Sequence, residues 1–436
     1  MQLVAYGAQD IYLTGNPMIT YFKVVYRRHT NFAMESIQQT FNGSIGWGSR
    51  VTALISRNGD LVSGMTLEVT LPNIVTDNTA GRTASWTNDV GHFIMSQVDI
   101  EIGGQLIDRH YSDWLEVWAQ LTVPASKKLG YRQMIGQDPL VAAGTPGTLQ
   151  AGVEGATQTL TGRKLYIPLQ FWFCRNVGLA LPLIALQYHE VKVNISFSPS
   201  SDLAFTSNAA VTVSALTDVT LWVDYIYLDT DERRRFAQVS HEYLIEQLQM
   251  NTDTYTAGQS NKSVNLTFNH PVKELVWICV ENSGAKVGGL DANAVTIPHQ
   301  SRYVLGTENM AGRDNFAGPS TAGTNPVRLA KLQLNGQDRF AERVGNYFSR
   351  VQPYNHHTCI PDSPGINVYS FALKPEEHQP SGTCNFSRID NAKLVLSVQA
   401  AANQTNGTVG GSIIVYATNY NVLRVMSGMG GLAYSN

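Results

Sequence analysis

Alternation with a period of two runs through most of the chain. Residues 98–102 (VDIEI) put apolar side chains on one side and acids on the other, and residues 191–197 (VKVNISF) and 264–268 (VNLTF) repeat the arrangement. Successive side chains of a strand point to opposite faces, so each segment reads as a strand with one face on a core. Residues 221–228 (LWVDYIYL) are apolar almost throughout, which predicts a strand covered on both faces. Turn pairs are dense: Asn58-Gly59, Gly103-Gly104, Asn335-Gly336 and Gly410-Gly411. Many short strands with glycine turns point to sandwiches or barrels and away from βαβ units. Few helices are predicted. Residues 230–238 (TDERRRFAQ) run from acids to arginines, the order that suits the helix dipole, and 113–120 and 338–350 each open with an Asp able to cap.

The same pattern occurs twice. IEIGGQLIDRHYSDWL (100–115) is matched by LQLNGQDRFAERVGNYF (332–348), EVKVNIS (190–196) by NAKLVLS (391–397), and DYIYLDTDERR (224–234) by IVYATNYNVLR (414–424). Order is preserved while the offset falls from 232 to 201 to 190. The chain therefore divides into two similar all-β domains, the first carrying extra length in loops at 124–162 and 198–217. The second has its own long Gly/Asn/Thr loop at 283–326. The joint is expected near 238–251.

Composition narrows the function classes. The 436 residues are only 15% charged, with a net charge of −3. A protein that wraps duplex nucleic acid by neutralising phosphates is basic, so a genome-packaging role is disfavoured. The longest apolar run, 178–186, contains Pro182 and is far shorter than a membrane span. The N-terminus lacks a cationic start and does not read as a secretory signal. Cys174, Cys279, Cys359 and Cys384 are scattered and fit free thiols in a reducing compartment.

No local motif carries catalysis. There is no phosphate-binding loop and no GxSxG, and His189-Glu190 and His241-Glu242 lack the second histidine of a zinc-protease helix. His356, His357 and Cys359 are ligand types without a partner pair, so a structural or surface role is expected. Asp229, Asp231 and Glu232 read as acids at a helix start, and Arg233, Arg234 and Arg235 as solvated or inter-subunit ion-pair residues. No catalytic, cofactor-binding or metal site is assigned. Seven Asn-x-Ser/Thr triplets occur, at Asn42, Asn194, Asn261, Asn265, Asn385, Asn403 and Asn406. Asn194 and Asn265 fall in strands, where a glycan is awkward. Asn403 and Asn406 lie in a polar loop and are the candidate glycosylation sites.

Long stretches from end to end carry a resemblance. Among them are LVAYGAQDIYLTGNP (3–17), ISRNGDL (55–61), IEIGGQLIDRHYSDWL (100–115), VDYIYLDTDERRRFAQVSHEYLIEQLQ (223–249) and NYNVLRVMSGMGGLAY (419–434). In them the chain resembles the major capsid proteins of nucleocytoplasmic large DNA viruses, most closely that of the chlorella viruses. Departures fall in the loops near 73–91, 124–162, 198–217 and 283–326.

The resemblance implies an all-β double jelly roll, two tandem antiparallel eight-stranded sandwiches. Its parts would be an N-terminal arm (1–25), a first jelly roll (26–240) and a second (241–436). It implies a homotrimer whose six jelly rolls imitate a hexagon and tile an icosahedral shell, with neighbouring capsomers and minor capsid proteins as partners. The inner arm would touch neighbours or the inner viral membrane, and the long loops would project outward. No cofactor, no enzymatic activity and no sequence-specific nucleic-acid binding are expected. The place of action would be the virion, assembled in the host cytoplasm. Aromatic and arginine anchors are expected at trimer seams, with Arg27, Arg28, Tyr111 and Trp114 as candidates. Two readings stand beside this one: a minor capsid paralogue, and a tandem β-sandwich carbohydrate-binding protein.

Overall fold

The computed structural model describes residues 7–75, 84–86, 89–136, 159–160, 162–206, 212–256, 261–281, 325, 327–363, 365–398 and 411–434. Candidate sites Asn403 and Asn406, and the greater part of the predicted loops 124–162 and 283–326, lie outside these residues.

Eight principal strands build the first sandwich. One sheet runs Phe32–Gln39, Val219–Leu228, Leu61–Thr70, Lys164–Pro168, and the facing sheet Arg50–Leu54, Val191–Phe197, Met95–Ile102, Gln105–Tyr111. In chain order these are the first, eighth, third and sixth strands against the second, seventh, fourth and fifth. The second sandwich repeats the order, with His241–Tyr255, Gly411–Met426, Pro271–Glu281 and Asn367–Ser370 facing Asn261–Leu266, Ala392–Val398, Val327–Leu334 and Gln337–Asp338. All of these pairings are antiparallel. This is the jelly-roll order, present twice.

The repeats land on equivalent places. The first falls on hairpins closed by turns whose central residues both have positive φ: Gly103 (59°) and Gly104 (82°), then Asn335 (52°) and Gly336 (79°). That geometry matches the twist of the flanking strands and needs Gly or Asn. The second falls on Val191–Phe197 and Ala392–Val398; the third begins on Val219–Leu228 and Gly411–Met426, but its second half is the helix Thr230–Gln238 in the first sandwich and continuing strand in the second.

Inward residues of each sandwich form its core, Met65, Leu67 and Val69 with Val193 and Ile195 in the first, Leu275, Trp277 and Cys279 with Leu394 and Leu396 in the second. The joint at 238–251 is no free linker. The helix Thr230–Gln238 runs straight into His241–Tyr255, and Ile245, Leu423 and Val425 of the second sandwich's long strands are buried in the first core.

Four expectations are corrected. Residues 125–135, expected as loop, form the helix Ala125–Ile135. The loop at 198–217 holds short strands, Ala204–Thr206 and Thr212–Val213. The helix expected at 338–350 is absent from its first half, because Gln337–Asp338 and Arg343–Val344 both pair with Val327–Leu334 and the helical stretch opens only at Gly345. Gly345 holds this chain so close to the strand that a Cβ there would lie 1.8 Å from the Val327 carbonyl oxygen. Finally, Val219–Leu228 is not covered on both faces. Leu221, Val223 and Tyr225 are buried, but Trp222 and Asp224 on the outer face keep partial exposure.

Candidate functional site

For a chain built of two equal sandwiches, the working geometry is the seam between them. The helix Ser112–Thr122 follows the first sandwich's fifth strand and lies on the outer face of the second sandwich's sheet. Its Trp114, Val117, Trp118 and Leu121 pack with Val276, Ile278, Ile366, Val368 and Tyr416. Ring centroids stand 5.3 Å apart for Trp114 and Tyr416 and 5.6 Å for Trp114 and Trp118. Aromatic clusters of this kind add to the stabilisation from buried area. The edge of His241–Tyr255 meets the same strand, Gln105–Tyr111: the Leu248 amide donates to Asp108 Oδ1 at 3.1 Å, and the Gln247 amide nitrogen donates to the Ile107 carbonyl.

A row of buried charges runs beside this apolar contact. Arg175 of the first sandwich donates to Glu246 Oε2 at 3.1 Å, and its guanidinium lies 3.9 Å from the centre of the Trp118 ring. Glu246 Oε1 is 2.7 Å from Lys273 Nζ, a lysine with no exposed side chain, seated where a bulge breaks the alternation of Pro271–Glu281. Next to it, Glu274 Oε2 lies 3.0 Å from His357 Nε2, and His357 Nδ1 bonds Glu376 Oε1 at 2.8 Å. Burial lowers the Lys273 pKa against the opposing pull of Glu246 and Glu274. For Glu274, burial pushes upward, but His357, then Lys273 and Arg175, hold the carboxyl below its usual range. Alternating signs let the six groups, Arg175 and Glu376 half-buried at the ends and the four between them buried, neutralise one another, which fixes one geometry because any slip leaves a charge unpaired.

The predicted residues fall in different places. Trp114, expected at a seam between chains, is fully buried inside this one and has no surface to offer a partner. Tyr111 is half-buried at the edge of the same cluster. Arg27 and Arg28 are exposed in the segment just before the strand Phe32–Gln39. Asp229 accepts from the Thr230 amide at 2.7 Å, as a helix cap does. Arg233 pairs within the chain, its Nε 2.8 Å from the buried Asp60, which corrects the solvated or inter-subunit expectation for that residue. His356 Nδ1 meets the Leu373 carbonyl and Cys359 Sγ the Val123 carbonyl, so these two and His357 do not converge. Among the described residues no group of three or more His, Cys, Asp or Glu is placed to hold a metal. Asn194 is engaged in its strand by Thr52 and Glu101.

Sequence reasoning missed the charged row because its members are scattered along the chain. One local signal was available: Lys273-Glu274 interrupts the otherwise apolar stretch 271–280 (PVKELVWICV), where two adjacent charges in a buried strand need partners.

The arm is the other conspicuous feature. Tyr12, Leu13, Met18, Tyr21, Phe22 and Tyr26 are each at least 85% exposed. No helix among the described residues is long and apolar enough to cross a membrane. The chemistry on view is association, through apolar surface and paired charge.

Comparison with known proteins agrees. Residues 20–229 match the family described as "Major capsid protein N-terminus", and residues 232–431 match "Large eukaryotic DNA virus major capsid protein". The chain is 48% identical to the major capsid protein of Phaeocystis pouchetii virus, 50% to that of Pyramimonas orientalis virus and 42% to that of Paramecium bursaria Chlorella virus 1. Each alignment covers 100% of this chain and 99% of the relative. The motifs pointed to the chlorella viruses, and identity is higher with the other two. Among solved structures, the PBCV-1 virus capsid is 39% identical with a TM-score of 0.72, covering 96% of this chain and all of that one. The Faustovirus major capsid protein, 14% identical with a TM-score of 0.72 over 97% of this chain and 94% of its own, shares the fold.

Proposed function

The chain belongs to the major capsid protein family of large eukaryotic DNA viruses, and on that premise we propose that three copies close into a trimer whose six sandwiches imitate a hexagon. It is a structural component of the virion shell, in a family of structural proteins and not enzymes. The observation that carries the trimer is the doubled jelly roll itself. Two sandwiches of identical strand order, locked by the Trp114 cluster and the charged row, give one chain two nearly equivalent lateral units. Three such chains offer six flat-sided units to a closed ring, as symmetric oligomers favour.

The finer parts of the reading follow. Residues 1–25 serve as the inner arm, 26–240 as the first jelly roll and 241–436 as the second. The apolar exposure of the arm supports contact beneath the shell, with a neighbouring capsomer, a minor capsid protein or the inner viral membrane. Four free thiols support assembly in the reducing host cytoplasm. Asn403 and Asn406 are the glycan candidates, and intact-mass spectrometry of virion protein decides whether they carry sugar.

Light scattering on the purified protein tests the trimer. The expected mass is about three times the 47.8 kDa of the chain. A stable monomer across the accessible concentration range would sink the reading, and a monomer that binds sugar would favour the carbohydrate-binding alternative.

A further inference from the structure

The two cores are not built alike. Every described member of the second core, from Tyr255 to Ala417, belongs to the second sandwich. The first core borrows. Ile245, Leu423 and Val425 are buried within it, and Tyr243 and Leu432 pack against it from the rim. All five come from His241–Tyr255, from Gly411–Met426 and from the short strand Met429–Leu432 that pairs back on it. The helix Ser112–Thr122 gives no such loan in return. It covers the outer face of the second sandwich's sheet and enters none of its core.

The borrowed side chains are placed by a hairpin with the sequence SGMGGL (427–432). Ser427 and Gly428, with φ of 52° and 81°, reverse the chain after Met426, and the Gly428 carbonyl accepts from the Tyr188 amide at 3.0 Å. His189 Nδ1 lies 2.9 Å from the Gly430 carbonyl oxygen, and the Leu432 amide donates to Gln105 Oε1 at 3.3 Å. A Cβ on Gly430 would stand 2.6 Å from Leu186 Cδ2 and 3.3 Å from Ile102 Cγ2, so only glycine lets the hairpin come this close. Leu186 and Ile102 are both fully buried members of the first core. The receiving loop is itself braced, because the Arg57 guanidinium donates to the carbonyls of Gln187 at 2.7 Å and His189 at 3.2 Å.

The order of the elements turns this packing into a constraint. All eight principal strands of the first sandwich precede the hairpin that closes its base. Domains made earlier in a chain generally fold earlier. Here the earlier sandwich lacks part of its own core, and the later one lacks none. Apolar groups with no cover give little return for the conformational entropy of ordering them.

We propose that folding runs against the order of synthesis: the second sandwich forms on its own residues, and its last strands then dock as a strap that completes the first. A chain becomes competent to enter the shell only once Gly411–Met426 and its hairpin are in place, so the strap keeps half-made chains out of assembly. The order is a property of the single chain and does not depend on the trimer reading.

Pulse-labelled hydrogen exchange during refolding of the full chain, at concentrations too low for association, tests it. Amides of 261–266 and 392–398 should gain protection first. Those of 98–102 and 191–197 should follow roughly tenfold more slowly, and no earlier than those of 423–425. A second arm uses native-state exchange of Gly430→Asp, which sets a charge against Leu186 and Ile102. Exchange in 98–102 and 191–197 should quicken at least about tenfold, while 261–266 and 392–398 stay within about twofold of the wild type. Protection of the first sandwich ahead of 423–425, or of both sandwiches at once, would overturn the inference. So would a Gly430→Asp chain in which exchange changes only within 423–432, or equally in both sandwiches.

Discussion

His357 Nε2 lies 3.0 Å from Glu274 Oε2, and neither side chain reaches solvent. Burial disfavours the imidazolium, but Glu274 and then Glu376 outweigh it and raise the His357 pKa to about 9. A group whose pKa rises on folding stabilises the fold fully below its unfolded value, here near 6.5, and loses that contribution as pH climbs through the folded one. Unfolding free energy should therefore fall between about pH 7 and pH 10 by on the order of 3 kcal/mol. His357→Gln should flatten that limb. Glu274, held low by its partners, acts in the opposite sense, and its contribution disappears as acid protonates it. Urea titrations across pH check both limbs; an alkaline limb equally steep in His357→Gln would contradict the assignment.

Trp114 is fully buried where the sandwiches meet. Trp114→Ala should cost about 3–5 kcal/mol, the usual range for deleting a large buried aromatic. Trp114→Phe should cost less than about 2 kcal/mol, because the indole nitrogen makes no hydrogen bond that phenylalanine would forfeit. Equal losses in calorimetry would mean that the ring's shape is not what holds the seam.

Two glycines should respond in opposite ways. A Cβ on Gly345 would meet the Val327 carbonyl oxygen at 1.8 Å, so Gly345→Ala should destabilise by roughly 1–3 kcal/mol. Gly130 sits inside Ala125–Ile135 with nothing within 4 Å of such a carbon, so Gly130→Ala should stabilise by up to about 1 kcal/mol. Melting temperatures of the two variants should lie on either side of the wild type.

Lys23, Arg27 and Arg28 lie in the exposed segment, arm and its junction, that precedes the first strand. Trypsin should cut there first and leave a core beginning near residue 29, with unchanged thermal stability. In assembled particles the same bonds should resist cleavage. Equal cutting in both states would deny the arm a part in assembly.

Much of this fold was legible because period-two alternation reports burial on one face directly. Residues 190–196 and 391–397 match by pattern alone and fall on the same strand of the two sandwiches. What stayed hidden depends on where one sandwich meets the other. Trp114 looks like an anchor for a partner chain, and its partner is this chain's own second half. The Asp338 carboxylate looks like a helix cap, yet it bonds Gln333 and Lys331 across a hairpin. The charged row from Arg175 to Glu376 assembles residues from distant segments, so no spacing announces it.

Cryo-electron microscopy of the purified protein tests the central claim most directly. The account predicts a three-fold particle with six lobes of nearly equal size, alternating between first and second sandwich around the ring. Isolated two-lobed particles, or a ring with any other number of lobes, would contradict it.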